Sequence, residues 1–412
     1  MDKLAVSIII PVYNSEKYLD ACLKSVAKQS LREIEILCVD NASTDDSATI
    51  IKEYCSRDKR FLYIRNEYNR GQAYSRNVGL DKAKGTYVYF VDSDDMLRES
   101  ALLNLYRYME QDELDGILFD AEFIDEKGAV LSETKGIRRA CTYPDVTDGK
   151  KIFSMLMKNG EYTGVVWRQI WRKAFLLSHH ICFFEMGVPH EDVLFSLEVL
   201  MAAEKVKCVQ DVCYRYRRHS ESITASVTTE RLVGIFVCFI EIMMHSKTWL
   251  KNADRQISIS ISMYLNSLRR GINRMINILR QRGILLDEIN LRTEFYSMFF
   301  RLFIKQKDEI LDNYLVDELI KRTPYCEKLI VYGCGVYGKQ MMRRLDSLNV
   351  TDYIVAVSDT SGGIFENNVF QIDELQEYRA KSLVLIAVSE VHQMEIIENL
   401  KRLGFKKYLC VV

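Results

Sequence analysis

The chain of 412 residues carries 56 basic and 57 acidic side chains, a formal net charge of −1, so no global field draws it to a polyanion and no nucleic-acid partner is expected. With 48% hydrophobic and 27% charged residues, 19 glycines and four prolines, it is a globular chain of roughly two to four domains, neither disordered nor of low complexity. Its eleven cysteines are scattered and mostly sit in apolar runs. The one ligand-like interval, Cys208 to Cys213, has no second pair, so neither a disulfide framework nor a zinc site is expected.

Ala5–Val12 reads as a strand buried on both faces of a parallel sheet. Asn14 or Ser15 then caps a helix whose Tyr18, Leu19, Cys22, Leu23 and Val26 share one face. Ile34–Val39 is the second strand and stops at Asp40; Ser43-Thr-Asp-Asp opens the next helix, through Tyr54. Phe61–Ile64 is a third strand, Gly71–Lys82 a third helix, and Tyr87–Val91 a fourth strand that stops at Asp92. This alternation with short connections specifies an α/β fold with a doubly wound, mostly parallel sheet. Ligands of such sheets bind beyond the carboxyl ends of the strands. Pro11-Val-Tyr-Asn14, Asp40 and Asp92-Ser-Asp-Asp95 therefore meet at one rim.

From about 100 to 225 the pattern is mixed, with Trp167, Trp171 and a His190-Glu-Asp192 triplet opening an apolar helix. From 226 to 322 the chain reads as helix throughout, and Thr323-Pro324 marks a boundary. Beyond it, LIVYGCGVYG, IVAVSD, SLVLIAVS and KKYLCVV form a second α/β unit. The expected domains are 1–225, 226–324 as a helical connecting region, and 325–412 as a small Rossmann-like α/β domain. The amino terminus lacks the usual cleavage site, and Leu232–Met244 is interrupted by Glu241 and too short to span a bilayer. A soluble cytoplasmic protein is expected.

Paired carboxylates at a strand end, as in Asp92-Ser93-Asp94-Asp95, can hold Mg²⁺ or Mn²⁺ together with phosphate oxygens. Alone, the same string also suits an acidic turn capping the next helix. Asp40 alone suits a loop aspartate or a cap, and beside a nucleotide it accepts bonds from a base edge or ribose. Tyr13 offers a ring for stacking on a base. Arg76 is either a surface ion-pair residue or the cation facing a diphosphate.

PVYN at 11–14, VDNASTDDS at 39–47, NRGQAYSRNVG at 69–79 and FVDSDD at 90–95 resemble, in order and spacing, the signature blocks of family 2 glycosyltransferases of the GT-A fold. The resemblance covers residues 4 to 225. It implies a nucleotide-sugar site of Pro11, Tyr13, Asn14, Asp40, Arg76, Asp92, Ser93 and Asp94, with Asp94 on a Mn²⁺ or Mg²⁺ ion. In such enzymes an acidic pair opening a helix about a hundred residues further on supplies the general base, which implies Glu191 and Asp192 as catalytic residues and Asp192 as the base. An acid-rich helix start also suits the helix dipole by itself. Tyr216-Arg-Arg-His219-Ser-Glu-Ser-Ile-Thr224 resembles the family's closing segment, with Arg218 and His219 in reach of the diphosphate.

The processive synthases of the family carry Gln-x-x-Arg-Trp after the base. Here the similar string, Gln169-Ile-Trp-Arg172-Lys, precedes Asp192 and lacks that tryptophan, which favours transfer of a single sugar. The expected reaction is inverting, hexosyltransferase-type transfer from a nucleotide-diphosphate sugar, a UDP-sugar for preference, to a glycan or lipid-linked acceptor in cell-surface polysaccharide biosynthesis. Arg269, Arg270, Arg274, Arg280 and Arg282 among Leu and Ile suit either a solvated helix face or peripheral contact with anionic lipid at the inner face of a membrane. A homo-oligomer is a further admitted partner.

Gly333-Cys-Gly335-Val-Tyr-Gly338 between a strand and a helix, with Asp359 after the next strand, has the layout of a dinucleotide fingerprint. It marks a second nucleotide site or an empty structural module. It also defines a rival function, an NAD-dependent sugar-nucleotide oxidoreductase or epimerase, but no Tyr-x-x-x-Lys pair stands near it. A non-catalytic sugar-nucleotide scaffold is the third class, opposed by the acids at 40, 92, 94 and 192.

Overall fold

The computed structural model describes residues 4–133, 137–185, 189–219, 226–250, 253, 255–286, 289, 296–297 and 300, and beyond these the segments 328–332, 354–358, 382–386, 390–405 and 408–410. The first part of the chain runs β1 (Val6–Val12), α1 (Glu16–Ala27), β2 (Ile34–Asp40), α2 (Ser47–Arg57), β3 (Phe61–Arg65), α3 (Gln72–Lys82) and β4 (Tyr87–Phe90). These bounds lie within a few residues of the sequence expectation. β5 (Met96–Leu97), α4 (Ala101–Gln111), β6 (Gly116–Ile124), α5 (Gly149–Lys158), β7 (Gln169–Arg172), α6 (Lys173–Ser178), α7 (Glu191–Ala202) and β8 (Val206–Arg217) follow.

The eight strands form one sheet in the order β3-β2-β1-β4-β7-β6-β8-β5. β3, β2, β1 and β4 are parallel to one another. β7 inserts antiparallel between β4 and β6, and β8 runs parallel to β6. The sheet is thus mixed but mostly parallel. Both faces of its centre are covered, which is why β1 is apolar at nearly every position. Ile8 and Ile10 join the core with Leu19, Leu23, Leu102 and Leu105. Ile9 faces Gly79 of α3 on the other side, where a Cβ would stand 2.4 Å from its side chain.

Gln169-Ile-Trp-Arg172, the string resembling a synthase motif, is strand β7 itself. Trp171 is fully buried, and its indole N–H donates to Gln169 Oε1 at 2.8 Å. Gln169 in turn donates to Ser196 Oγ of α7 at 2.6 Å. The string is core architecture.

The helical segment contains α8 (Thr229–Trp249) and α9 (Arg255–Gln281). The chain packs as two units: residues up to Cys238 with Thr248–Ile272, and Phe239–Lys247 with the chain from Asn273 on. The division falls inside both helices. Tyr264 of α9 meets Phe153 and Tyr162 edge-on within the first unit. In the second unit β9 (Lys328–Tyr332), β10 (Ile354–Ser358), β11 (Ser382–Ile386) and β12 (Tyr408–Cys410), with α10 (Glu390–Arg402), form a four-stranded parallel sheet in the order β10-β9-β11-β12. Gly333, Gly335, Gly338, Asp359 and the Thr323-Pro324 boundary lie outside the described residues. Among the described residues, no helix is long and apolar enough to cross a membrane.

Within the first unit α8 passes very close to the turn before α7: a Cβ on Gly234 would stand 1.9 Å from the Pro189 carbonyl oxygen. Gly234→Ala is therefore expected to force the helix off that turn, at about 1–3 kcal/mol for overpacking. Because Asp192 follows the turn, turnover should fall together with the melting temperature. A variant that melts with the wild type would show that the turn yields at no cost.

Candidate active site

Two adjoining cavities open beyond the carboxyl ends of β1 and β4, of about 390 and 320 Å³. Gln72, Asp94, Pro189 and Glu191 line both and form the shared wall. The first cavity is otherwise built from Pro11, Tyr13, Asn14 and Ser93, with Lys17, Tyr18 and His219. The second holds Arg76, Asp92, His190 and Asp192 with an aromatic group of Phe123, Trp167 and Tyr216.

The β1–α1 loop is locked to the β2–α2 loop by reciprocal polar bonds. Asn14, in the left-handed region at φ 47°, donates its N–H to Ser43 Oγ at 3.1 Å and accepts from Thr44 N at 2.9 Å. Ser15 N donates to Ser47 Oγ at 2.9 Å, and the Ser15 and Ser93 hydroxyls meet at 2.7 Å. Tyr13, 47% exposed, is left presenting its ring to the cavity. Gly71, at φ 88°, precedes α3 and lets that helix start against the same cavity.

Asp40 is placed differently from the expected base contact. It is fully buried and does not line either cavity. Its Oδ1 accepts from Ser43 N at 2.8 Å, and its Oδ2 accepts from the Tyr63 hydroxyl at 2.8 Å and Arg65 Nη1 at 2.6 Å. A carboxylate with three donors serves by holding the Ser43 turn and the Arg65 side chain at the rim.

Arg76 lines the second cavity from within a buried ion pair. Only 3% exposed, it is clamped between carboxylates: Nη2 donates to Asp92 Oδ1 at 2.8 Å and Nη1 to Glu191 Oε1. Burial opposes its charge, yet Asp92 and Glu191 outweigh that and hold the guanidinium above its usual range. It therefore faces two acids within the wall. Glu191 is correspondingly an ion-pair partner at the start of α7.

Burial drives the Asp192 carboxyl up to about 8; Glu191 and Asp92 add to the rise and Arg76 opposes it. His190, which precedes it, adopts φ 78°, and its carbonyl accepts from Cys238 Sγ of α8 at 2.9 Å. Burial, with the charge of Arg231, lowers the His190 imidazole to about 4, so it is neutral.

Asp94 is one-third exposed, and its Oδ2 lies 2.9 Å from His219 Nε2. The His219 ring packs on Tyr18 at 4.7 Å. Of the closing segment, His219 thus reaches the acidic turn. Arg218 instead pairs with Glu133 at 2.6 Å and covers the Phe123 ring. β8 clamps that turn from behind: the Tyr214 hydroxyl donates to Asp95 Oδ2 at 2.7 Å, Arg217 N to Asp95 Oδ1 at 2.6 Å, and Arg217 Nε to the Asp94 carbonyl at 2.8 Å. No local pattern in the sequence pointed to this clamp, because 119 residues separate Tyr214 from Asp95.

No group of three or more His, Cys, Asp or Glu that could hold a metal ion gathers among the described residues. Asp94 and His219 side by side still suit a hard cation that keeps waters and takes further oxygens from a phosphate substrate.

An α/β sheet with a strand-end acidic turn between two cavities has the layout of a ligand site beyond the carboxyl ends of its strands. Residues 7–165, less than half of the chain, match the family model for glycosyl transferase family 2, and the mixed, mostly parallel sheet is that of the GT-A fold. The uncharacterized glycosyltransferase EpsJ of Bacillus subtilis is 32% identical over 221 residues, 53% of this chain and 62% of EpsJ. The cholesterol galactosyltransferase of Borreliella burgdorferi is 25% identical over 336 residues, 80% of this chain and 82% of that protein. Among solved structures, residues 1–349 of S. aureus TarS in complex with UDP-GlcNAc share the fold at a TM-score of 0.52 and 23% identity, covering 77% of this chain and 85% of that one. The chain spans less than two thirds of EpsJ.

Proposed function

We propose that the chain transfers a single sugar, with inversion, from a nucleotide-diphosphate sugar to a hydroxyl of a glycan or lipid-linked glycan, acting in the cytoplasm in cell-surface polysaccharide synthesis. The observation that carries this reading is the pair of adjoining cavities with Asp94 in their shared wall and Asp192 in the second. The nucleotide lies in the first cavity, its base against Tyr13, its ribose and phosphates near Asn14, Ser93 and the start of α3, where a helix N-terminus favours anions. The UDP-GlcNAc complex of TarS supports a UDP-sugar as donor.

Asp94 and His219 would hold Mn²⁺ or Mg²⁺, and such an ion supplies charge neutralisation to a departing diphosphate. Asp192 takes the proton of the acceptor hydroxyl as that oxygen attacks the anomeric carbon from the face opposite the leaving group, which inverts the configuration. Its raised pKa suits a base that must bind a proton near neutral pH. Arg76 keeps the neighbouring acids Asp92 and Glu191 neutralised, and so makes room for a third carboxylate.

Donor hydrolysis across UDP-, GDP-, CMP- and TDP-sugars with Mn²⁺ tests this reading, with turnover of one UDP-sugar expected. If no donor is consumed, the reading falls. Asp94→Ala is expected to abolish metal-dependent turnover and weaken donor binding while leaving the circular dichroism spectrum unchanged. Wild-type activity of that variant in EDTA-treated buffer would remove Asp94 from the metal site.

A further inference from the structure

We propose that the second cavity selects an acceptor bearing a negative charge, a phosphate or a carboxylate, and that Arg168 anchors it. The proposal rests on the glycosyltransferase reading and names the substrate class of that same site. Arg168 lines the cavity yet is only 3% exposed. Its Nε donates to the Phe119 carbonyl at 3.1 Å, Nη2 to Asp120 Oδ1 at 2.8 Å and Nη1 to Thr163 Oγ1 at 3.3 Å. A guanidinium has five donors, so its two terminal nitrogens keep donors for a ligand.

The charge count is the stronger argument. The same Asp120 Oδ1 also takes Arg139 Nη1 at 2.7 Å, and Arg139 is itself buried, with its Nε lacking a hydrogen-bond partner among the described residues. Two buried guanidiniums thus share one carboxylate. Glu161, the next acid, accepts from Ala140 N, Cys141 N and the Tyr143 hydroxyl; it acts on Arg139 through its charge and forms no ion pair with Arg168 among the described residues. An uncompensated buried charge is costly to keep. Burial and the charge of Arg139 accordingly push Arg168 down to about 10. An anion against Arg168 removes the surplus, and the planar fork fits phosphate or carboxylate oxygens.

The rest of the cavity agrees with a sugar or polyol carrying that anion. Trp167 stacks on Tyr214 at 4.6 Å and on Tyr216 at 5.3 Å, so Trp167, Tyr216 and Phe123 give the cavity an aromatic wall suited to the apolar face of a ring. Asp94 and the ionised Asp192 line the same cavity and repel an anion, which orients the acceptor: charge at Arg168, reacting hydroxyl at Asp192.

Calorimetric binding of glucose, glucose 6-phosphate and glucuronate to the full chain tests this whether or not any donor is turned over. The same ligands, as methyl β-glucosides, are then compared as acceptors with the donor that the hydrolysis panel identifies. Affinity and kcat/KM are expected to be about 10- to 100-fold higher for an anionic member, the worth of charge-assisted hydrogen bonds. Preference for the phosphate or for the uronate alone assigns the group. Arg168→Gln should erase the preference for the anionic ligand, and Arg168→Lys should retain part of it. If Arg168→Gln does not fold, inorganic phosphate as an inhibitor of the wild type decides, competitive inhibition against the acceptor being expected. Equal use of neutral and anionic ligands, equal loss of both in the variant, or phosphate inhibition that is not competitive with the acceptor overturns the proposal. Failure of donor hydrolysis alone strikes the glycosyltransferase reading, while the binding comparison still stands.

Discussion

Replacing Asp192 by asparagine is expected to lower turnover by about 10²–10⁴-fold while leaving donor affinity nearly unchanged, the signature of a lost general base. In the wild type, activity should rise with pH and fall as pH drops through the raised Asp192 value, because only the ionised carboxylate accepts a proton. The residual activity of Asp192→Asn should lack that limb. The same shift bears on stability with the opposite sense. A carboxyl raised in the folded state favours folding while protonated; this contribution is complete below the unfolded value near 3.8 and is lost as pH rises through the folded one. The asparagine variant, which never ionises, should therefore melt no lower than the wild type at pH 8.5. Equal losses of donor binding and rate, or a lower melting point there, would move Asp192 to a structural role.

Arg76→Gln is expected to be the most damaging substitution in the site. The guanidinium is 3% exposed and bonded to both Asp92 and Glu191. Removing one partner of a buried ion pair costs about 3–5 kcal/mol, since the carboxylates left behind are unpaired. Arg76 also draws down the Asp192 carboxyl, so its loss should shift the acid limb of the rate profile to higher pH. Thermal denaturation and a pH–rate profile together test this. A variant with wild-type stability and an unmoved limb would return Arg76 to the surface role that its sequence position also allowed.

Much of the first hundred residues was legible in the chain itself. β1 to β4 and the helices between them follow from apolar runs that span both faces of a buried sheet and from the polar residues that end them. Hydrophobic periodicity is local, so it survives in the sequence. The rim position of Asn14, Ser93 and Asp94 followed from where strands stop. Residues 100 to 225 were less legible. β7 is antiparallel and made of Gln-Ile-Trp-Arg, a string that reads as a motif until its tryptophan is seen buried beneath Gln169. β8 pairs in parallel with β6 across ninety residues, a partnership that no local signal encodes.

The amino-acid sequence by itself determined the alternating α/β order, the acidic turn at 92–95, the acids opening α7 and the near-neutral net charge. Only the tertiary structure decided what those charges do. It buried Asp40 among three donors, set Arg76 between Asp92 and Glu191, brought His219 to Asp94, and set two arginines on one Asp120. The physical reason is that pairing and desolvation depend on distances across the fold, between residues a hundred positions apart, whereas strand and helix patterns depend on neighbours a few positions away.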